Sequence, residues 1–285
     1  MKKRELIALG AGVLVIVVLF VVIKLSGNNS TPPAAEATAP ESPSDTPNSL
    51  SDADVERLLK EAVDIESLED RDGILYETDE SDPYSGWVKS MYDSGQVYSL
   101  VLHADGQPNG PSRNWHENGK KRRDVPFKDG KFNGLMTVWH ENGKKAQEGR
   151  CKDGVMTGIT TNWSESGHRT QETNVIEEGT ALVPRRAAFT GWYKNGQKAT
   201  EGVLVNGKLH GLKTGWHENG QKFYEMLYKN GVGEGYVKLW HENGQKGAEG
   251  LFKDGILEGS MKYWTNQGEE VDTEEEAQLP PFVSD

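Results

Sequence analysis

The segment YVKLWHENGQKGAEGLFKDG, residues 236–255, contains two turn signals. Asn243-Gly244 predicts a tight hairpin, because a type I′ turn needs positive φ at both central residues and Asn-Gly is its strongest signature. The residues before it, YVKLWH, are β-branched, aromatic and aliphatic, which favours a short strand. The return strand ends at Asp254-Gly255, a second turn signal. The segment therefore predicts one β-hairpin and the turn into the next one.

The same pattern recurs along most of the chain. The turn glycines are 24 residues apart except for one interval of 29, and a tryptophan lies four residues before each of them. These turn glycines are Gly119, Gly143, Gly167, Gly196, Gly220, Gly244 and Gly268. The tryptophans are Trp115, Trp139, Trp163, Trp192, Trp216, Trp240 and Trp264, and a degenerate earlier copy holds Trp87 and Gly95. A fixed period of this length indicates a repeat protein.

The repeats predict an all-β fold, an elongated single antiparallel sheet of about eight 24-residue β-hairpins over residues 83–268. Since side chains alternate between the faces of a strand, the tryptophans are expected on one face as shielded residues of the repeat core. An apolar column is predicted eight residues after the turn glycines, at Phe127, Cys151, Leu204, Tyr228 and Phe252. The single cysteine, Cys151, is interpreted as a filler of the core rather than a nucleophile.

The recurring W-H-E-N-G-Q-K motif, followed by Glu, an aromatic residue and K-D/N-G, resembles the MORN-repeat variant, the module of the YwqK-type antitoxin proteins. The opening RDGILYETDESDPYSGWV, residues 71–88, and AAFTGWYKNGQ, residues 187–197, are also similar to that family's openings. The resemblance covers about residues 83–268. It implies an antiparallel sheet of hairpins and, for function, a scaffold or interaction module.

The N-terminal region predicts a membrane anchor over residues 1–25. Leu6–Ile23 is an unbroken run of 18 apolar or small residues, long enough for a helix across the ~30 Å hydrocarbon core. Lys2, Lys3 and Arg4 precede it, so the N-terminus is expected in the cytoplasm and the repeats outside it, in the periplasm or at the cell surface. A cleaved signal peptide is the alternative. Residues 26–50 contain five prolines and no aromatic residue, which predicts a disordered linker.

Two acidic segments flank the repeats. Residues 51–82 carry 13 acidic and 3 basic groups and begin with a helical stripe of Val55, Leu58, Leu59, Ala62 and Val63 after the N-cap Ser51. We expect a short helix that covers the open end of the sheet, with a docking helix for a partner as the alternative. Residues 269–285 form an acidic tail, which we expect to be flexible. The body between these flanks has a net charge of about +5 by difference.

The sequence contains no catalytic motif that points to an enzyme, and no cofactor or metal is predicted. His116, His140, His217 and His241 lie three residues before their turn glycines, in a column whose ~9.5 Å spacing is too wide for shared zinc ligation. They are interpreted as exposed residues flanking the turns. The turn glutamates Glu117, Glu141, Glu218 and Glu242 are expected to pair with lysine across each turn.

Basic residues recur two positions after the turn glycines, as Lys121, Lys145, Arg169, Lys198, Lys222 and Lys246. Interleaved glutamates predict a solvated mixed-charge face, and the small net charge argues against a nucleic-acid partner. The sequence thus favours a non-enzymatic, membrane-tethered extracytoplasmic scaffold that binds an unknown protein partner. The alternatives are a cell-wall or carbohydrate-binding module, with a cell-wall polymer as its partner, and an antitoxin-type partner-binding protein. Shielded tryptophans favour the scaffold, whereas an exposed tryptophan column favours sugar stacking.

Overall fold

A computed structural model describes residues 50–177 and 183–279 of the chain. The predicted anchor at 1–25, the linker up to residue 49 and the last six residues of the tail lie outside these ranges. No helix within them combines the length and the apolarity that a membrane crossing requires. The described residues divide into two compact units, at 50–167 and 168–279.

The first unit consists of a helix, a separate two-stranded antiparallel sheet and a larger sheet that is antiparallel except at one edge. Its helix is α1 (Asp52–Glu61), followed by a short 3₁₀ turn at Ile65–Ser67. Its strands are β1 (Val63–Asp64), β2 (Leu68–Arg71), β3 (Ile74–Glu77), β4 (Gly86–Met91), β5 (Val97–Ala104), β6 (Gln107–Trp115), β7 (Lys121–Asp124), β8 (Phe127–Lys128), β9 (Lys131–Phe132), β10 (Gly134–Trp139), β11 (Lys145–Lys152) and β12 (Val155–Trp163). Strands β4, β5, β6, β7, β10, β11 and β12 pair in that order. Strand β1 is an exception to the antiparallel rule, since it pairs in parallel with β4.

The second unit repeats the hairpins without a leading helix. Its strands are β13 (Arg169–Glu177), β14 (Arg186–Trp192), β15 (Lys198–Val205), β16 (Lys208–Leu209), β17 (Gly211–Trp216), β18 (Lys222–Lys229), β19 (Val232–Trp240), β20 (Lys246–Lys253), β21 (Ile256–Trp264) and β22 (Glu270–Val271). All their pairings are antiparallel. A short helix, α2 (Glu274–Ala277), follows within the segment expected to be flexible, and Ala277 is fully buried. The predicted all-β hairpin architecture is confirmed in both units.

The Asn-Gly turns differ from the type I′ geometry that the sequence predicts. In the turn after β10, the Gly143 N–H donates to the His140 carbonyl at 2.8 Å, and Gly143 has φ 89°. Asn142 is not among the described residues with positive φ, so the turn is type I followed by a left-handed glycine. The Asn142 side chain stabilises this form, because its Oδ1 accepts the Lys144 N–H at 2.9 Å. The type I′ geometry belongs instead to the second turn, where Asp153 and Gly154 have φ 51° and 83°.

Each unit buries one face of its sheet. In the second unit the core comprises Met226, Tyr228, Val237, Leu239 and Ala248. In the first it comprises Val125, Phe132, Met136 and Cys151. Glycines on this face leave room for neighbouring side chains, as a Cβ at Gly215 would collide with Tyr224. The alternation of side chains places the tryptophans that end the strands on the opposite face, called here the Trp face.

Candidate interaction face

The Trp face carries alternating indoles and cations. In the second unit, Lys198 Nζ lies 4.8 Å from the ring centroid of Trp216, and Lys222 Nζ lies 5.3 Å from that of Trp240. The same arrangement joins Arg169 to Trp192, Lys246 to Trp264 and, in the first unit, Lys145 to Trp163. All distances fall within the ~6 Å range of cation–π attraction. Each cation comes from the hairpin before its tryptophan, so the contacts join neighbouring repeats.

The seven repeat tryptophans are half-buried. They are therefore neither enclosed in the apolar core nor open on all sides. The turn glycines all have positive φ, between 79° and 93°. Within each unit, the structure thus places the predicted tryptophans and glycines together at one end of the hairpins.

The cations of the Trp face also form ion pairs with glutamates three residues further along. Lys145 pairs with Glu148 at 2.7 Å and Lys246 with Glu249 at 2.9 Å. A β-bulge makes this pairing possible, because Thr137 lies opposite Glu148 and Trp139 lies opposite Lys145. Lys145 and Glu148 are therefore on the same face of the sheet although they are three residues apart. Within the described ranges, the turn glutamates Glu117, Glu141, Glu218 and Glu242 form no such ion pair, and that prediction is wrong.

The column of histidines connects the hairpins rather than flanking the turns as exposed residues. His217 Nε2 lies 2.8 Å from the carbonyl oxygen of Trp240 in the next hairpin. His116, His140 and His241 make the same contact with Trp139, Trp163 and Trp264. Since a carbonyl oxygen only accepts, Nε2 is the protonated donor. The prediction of exposed histidines is therefore wrong: although like residues are two strands apart, the imidazole reaches the neighbouring backbone, and all four histidines are buried or half-buried.

The turn asparagines make a second set of contacts between repeats. Asn195 Nδ2 donates to the Glu218 carbonyl at 2.7 Å, and Asn219 Nδ2 to the Glu242 carbonyl at 2.8 Å. Each asparagine thus stabilises its own turn through Oδ1 and the following turn through Nδ2. This double role explains the recurrence of Asn at a position where φ is not positive.

Helix α1 covers the beginning of the Trp face in the first unit. Val55, Leu58 and Ala62 are buried together with Leu100, and Trp87 and Trp115 pack around them. The helix forms with the predicted N-cap, since Ser51 Oγ accepts the Asp54 N–H at 3.1 Å. It lies on the face of the first repeats, while β1 occupies the edge of β4.

A buried arginine that sequence reasoning missed fixes the start of α1. The Arg113 side chain is only 2% exposed. Its guanidinium donates to both carboxylate oxygens of Asp124, at 2.8 and 2.7 Å, to Asp52 at 2.9 Å and to the Leu50 carbonyl at 2.7 Å. Lys121 also contacts Asp52 at 2.9 Å. Both cations lower the pKa of the Asp52 carboxyl, Lys121 more strongly than Arg113.

The sequence contains a signal for this helix site. Arg113 lies six residues before its turn glycine, where the next four repeats have threonine, as at Thr137 and Thr214, and the last two have lysine. Leu100 lies five residues after Gly95, where later repeats have glutamates. Departures from the period thus mark the place where the helix binds.

The second unit exposes an apolar stripe on its Trp face, which sequence reasoning also missed. Leu212 lies opposite Leu227 and Tyr236 opposite Leu251 across neighbouring strands. Leu212, Leu227 and Tyr236 are 48%, 47% and 57% exposed. Leu212 and Tyr236 each lie four residues before a tryptophan of the same strand, Trp216 and Trp240, and therefore share its face. Leu227 lies on that face too, because it is directly opposite Leu212. The stripe and the indole–cation column together form the candidate interaction face.

The described residues offer little for chemistry. They contain no group of three or more His, Cys, Asp or Glu residues that could hold a metal ion. Cys151 is buried, and burial raises the pKa of its thiol to about 11. The first unit has a shallow hollow of about 450 Å³ between α1 and the sheet, lined by residues that include Asp52, Trp115 and Lys121.

Comparison with known proteins identifies repeats of one type. The model of the MORN repeat variant matches residues 108–129, 132–152 and 209–230. No curated protein matches the chain. Two similar solved structures are a mutant of S. aureus TarM in complex with fondaparinux, α-GlcNAc-glycerol and UDP, and TcdB2-TccC3-TEV.

These structural likenesses are distant. The first has 13% identity and a TM-score of 0.18 and covers 56% of this chain and 24% of that one. The second has 11% identity and a TM-score of 0.21 and covers 73% of this chain and 13% of that one. The chain thus spans less than a quarter of either structure, and scores this low carry no argument about function. The three sequence matches, each within the hairpins described above, support the MORN-repeat family.

Proposed function

We propose that this chain is a non-enzymatic scaffold for protein–protein interaction that binds its partner through the Trp face of the repeats. The observation that carries the proposal is the exposed apolar stripe of Leu212, Leu227 and Tyr236 beside the indole–cation column. Aromatic anchors with adjacent cations and aliphatic side chains are the composition that protein interfaces favour. A catalytic site, in contrast, is a single constellation of unlike groups in a pocket.

The proposal includes a membrane tether. Residues 6–23 form the anchor and residues 26–50 the linker, so that the repeats stand outside the cytoplasm. Protease added to intact cells from which any outer barrier has been removed is expected to cleave the linker and to release the repeats. Retention of the repeats in the soluble cytoplasmic fraction would overturn the tether.

Site-specific photo-crosslinking of the full chain in its own membrane tests the partner-binding face. A photoreactive amino acid at Tyr236 lies on the Trp face, and one at Ile65, which is 36% exposed in the 3₁₀ turn of the first unit, is the control outside that face. We expect a discrete crosslinked protein from position 236 and none from position 65. Equal crosslinking from both positions, or none from either, would count against the proposal.

The carbohydrate-binding alternative is less well supported. Sugar rings stack on open aromatic faces, whereas a cation lies over five of the repeat indoles. The half-burial of the tryptophans still leaves it testable. Co-sedimentation of the full chain with purified cell-wall polymer, abolished by Trp216→Ala, would favour it. An antitoxin-type role would use the same face, so the identity of the crosslinked protein separates that alternative.

A further inference from the structure

We infer that the Trp face of the second unit binds an acidic amphipathic helix of a partner protein. The inference rests on the proposed function, because it names the chemistry of the partner at the same face. Helix α1 is a segment that the Trp face of the first unit already binds, and the second unit carries apolar and basic side chains on the same face.

Helix α1 docks through two sets of contacts. Its apolar side is buried, with Leu58 only 5% and Val55 7% exposed. Its acidic first turn meets cations of the sheet, where Asp52 contacts both Arg113 and Lys121 at 2.9 Å. An acidic residue at the start of a helix is also favoured by the helix dipole. A segment that fits the Trp face thus combines an apolar stripe with acidic residues in its first turn.

The second unit supplies the apolar half of such a site. Ala188 lies opposite Val203, Leu212 opposite Leu227 and Tyr236 opposite Leu251. These pairs lie on β14 and β15, β17 and β18, and β19 and β20. The stripe therefore runs across the strands, as an apolar track on a face that α2 does not cover, since the chain following α2 packs its Leu279 against the buried core on the other side.

The second unit also supplies the cations. Lys238 and Lys262 lie six residues before their turn glycines, the same position that Arg113 has in the first unit. Both lie directly opposite Glu249 on neighbouring strands. Lys246 bonds to that glutamate at 2.9 Å and contributes most to lowering its pKa, with Lys238 and Lys262 adding to the effect. Lys238 also lies opposite Glu225, which pairs with Lys222. Lys222, Lys238, Lys246 and Lys262 are thus four cations around two carboxylates, which leaves positive charge for an acidic ligand.

The dimensions of a helix match the track. Neighbouring strands are ~4.8 Å apart, and one turn of a helix rises ~5.4 Å. A helix laid along the track therefore presents one apolar residue to each successive strand. The four strands from β17 to β20 extend over ~14 Å, which is about the length of ten helical residues, the length of α1.

A defined probe tests this inference on the full chain. The probe is a fluorescently labelled peptide with the sequence of residues 50–63, LSDADVERLLKEAV. We expect it to bind, and we expect the double variant Leu212→Ser/Leu227→Ser to weaken binding by about tenfold or more, because two apolar contacts are lost. These side chains are about half exposed, so the variant is expected to fold. Ile65→Ser, a change at an exposed apolar residue of the first unit outside the Trp face, is the control and is expected to bind the peptide like the parent chain.

A charge swap tests the electrostatic half. The Lys238→Glu/Lys262→Glu variant is expected to lose affinity for the acidic peptide and to gain affinity for a peptide with lysine in place of its two first-turn aspartates. Equal binding of the acidic peptide by the parent chain and both double variants would overturn the inference. So would no detectable binding at a peptide concentration of about 1 mM.

Two further outcomes separate this inference from the proposed function. If photo-crosslinking at Tyr236 captures a protein while the peptide does not bind, the scaffold stands and the helical ligand is wrong. If the full chain self-associates in sedimentation velocity and Leu212→Ser/Leu227→Ser abolishes the association, the occupant is a second copy of the chain, which also overturns the inference.

Discussion

Each repeat tryptophan of the second unit is held by residues of the preceding hairpin. Trp240 shows both contacts, because Lys222 lies over its ring and His217 donates to its carbonyl oxygen. At Trp216 a tyrosine takes the place of the histidine, and Tyr193 Oη donates to the carbonyl at 2.7 Å. A phenol and an imidazole thus make the same contact here, which shows that the position needs a hydrogen-bond donor and not specifically a histidine.

Replacing His217 tests this role. His217→Ala is expected to lower the free energy of unfolding by about 1 kcal/mol, because the hydrogen bond to the Trp240 carbonyl is lost. Urea denaturation of the full chain measures the change. Glu218→Ala is the matched control, since that side chain is exposed, and its effect is expected to stay within about 0.5 kcal/mol. Equal effects of the two variants would show that the histidine does not connect the hairpins.

The reactivity of Cys151 is predicted by its burial. Burial favours the neutral thiol and raises its pKa to about 11, so almost no thiolate is present at pH 8. We expect Ellman's reagent to leave the native chain unmodified at pH 8 and to react fully in guanidinium chloride. Rapid reaction of the native chain would contradict the interpretation of Cys151 as a core residue.

At the scale of elements, α1 depends on one buried guanidinium. Arg113 donates to Asp52 in the helix, to the carbonyl of Leu50 in the segment before the helix and to Asp124 in the sheet. A buried cation with several hydrogen-bonded partners is costly to disrupt, because removing one member leaves the others unpaired. The docking of α1 is therefore expected to respond strongly to changes at this position.

Arg113→Ala is expected to destabilise the first unit by about 3–5 kcal/mol and to release α1. Hydrogen exchange of the amides of residues 55–62 in the full chain reports the release directly. Arg57→Ala removes only exposed ion pairs of the same helix and serves as the control. Full protection of α1 in Arg113→Ala would contradict the account.

Acid is expected to weaken the same contact. The pKa of Asp52 is lower in the folded chain than its ordinary value, so its contribution to docking is complete above the ordinary aspartate range and is lost as the pH falls through the folded value. Exchange of the α1 amides should therefore accelerate relative to those of β11 below about pH 4. The Asp52→Asn variant should not show that selective acceleration.

The hairpins were predictable from the sequence, but the contacts between them were not. Asn-Gly, Asp-Gly and the 24-residue period locate the strands because turn chemistry is local. The turn type was wrong at Asn142 because both turn geometries accept Asn-Gly, and the Asn side chain decides between them. The exposed position of the histidines was wrong because a contact with the next hairpin depends on sheet register, which includes the bulges.

At the scale of the whole molecule, the departures from the period carry the functional information. Leu100 and Arg113 replace repeat residues where α1 docks, and Lys238 and Lys262 take the Arg113 position in the second unit. These differences become visible only when the copies of the repeat are aligned with one another. The exposure of Leu212 and Tyr236 on the Trp face required the structure, because period-2 alternation assigns a face without saying which face is covered.

The central claim is that each 24-residue hairpin is a unit that its neighbours complete. Deleting Gln221–Gly244 from the full chain removes one 24-residue period. The deletion joins the WHENG that ends at Gly220 to the QK that begins at Gln245, so that one complete WHENGQK motif remains. Deleting residues 221–232, half a period, removes one strand and reverses the direction of the chain.

Urea unfolding monitored by tryptophan fluorescence compares these two deletions. The account predicts that the full-period deletion keeps a cooperative transition with a smaller m value, since less surface is buried, while the half-period deletion loses cooperative unfolding in the second unit. Equal disruption by both deletions would contradict it.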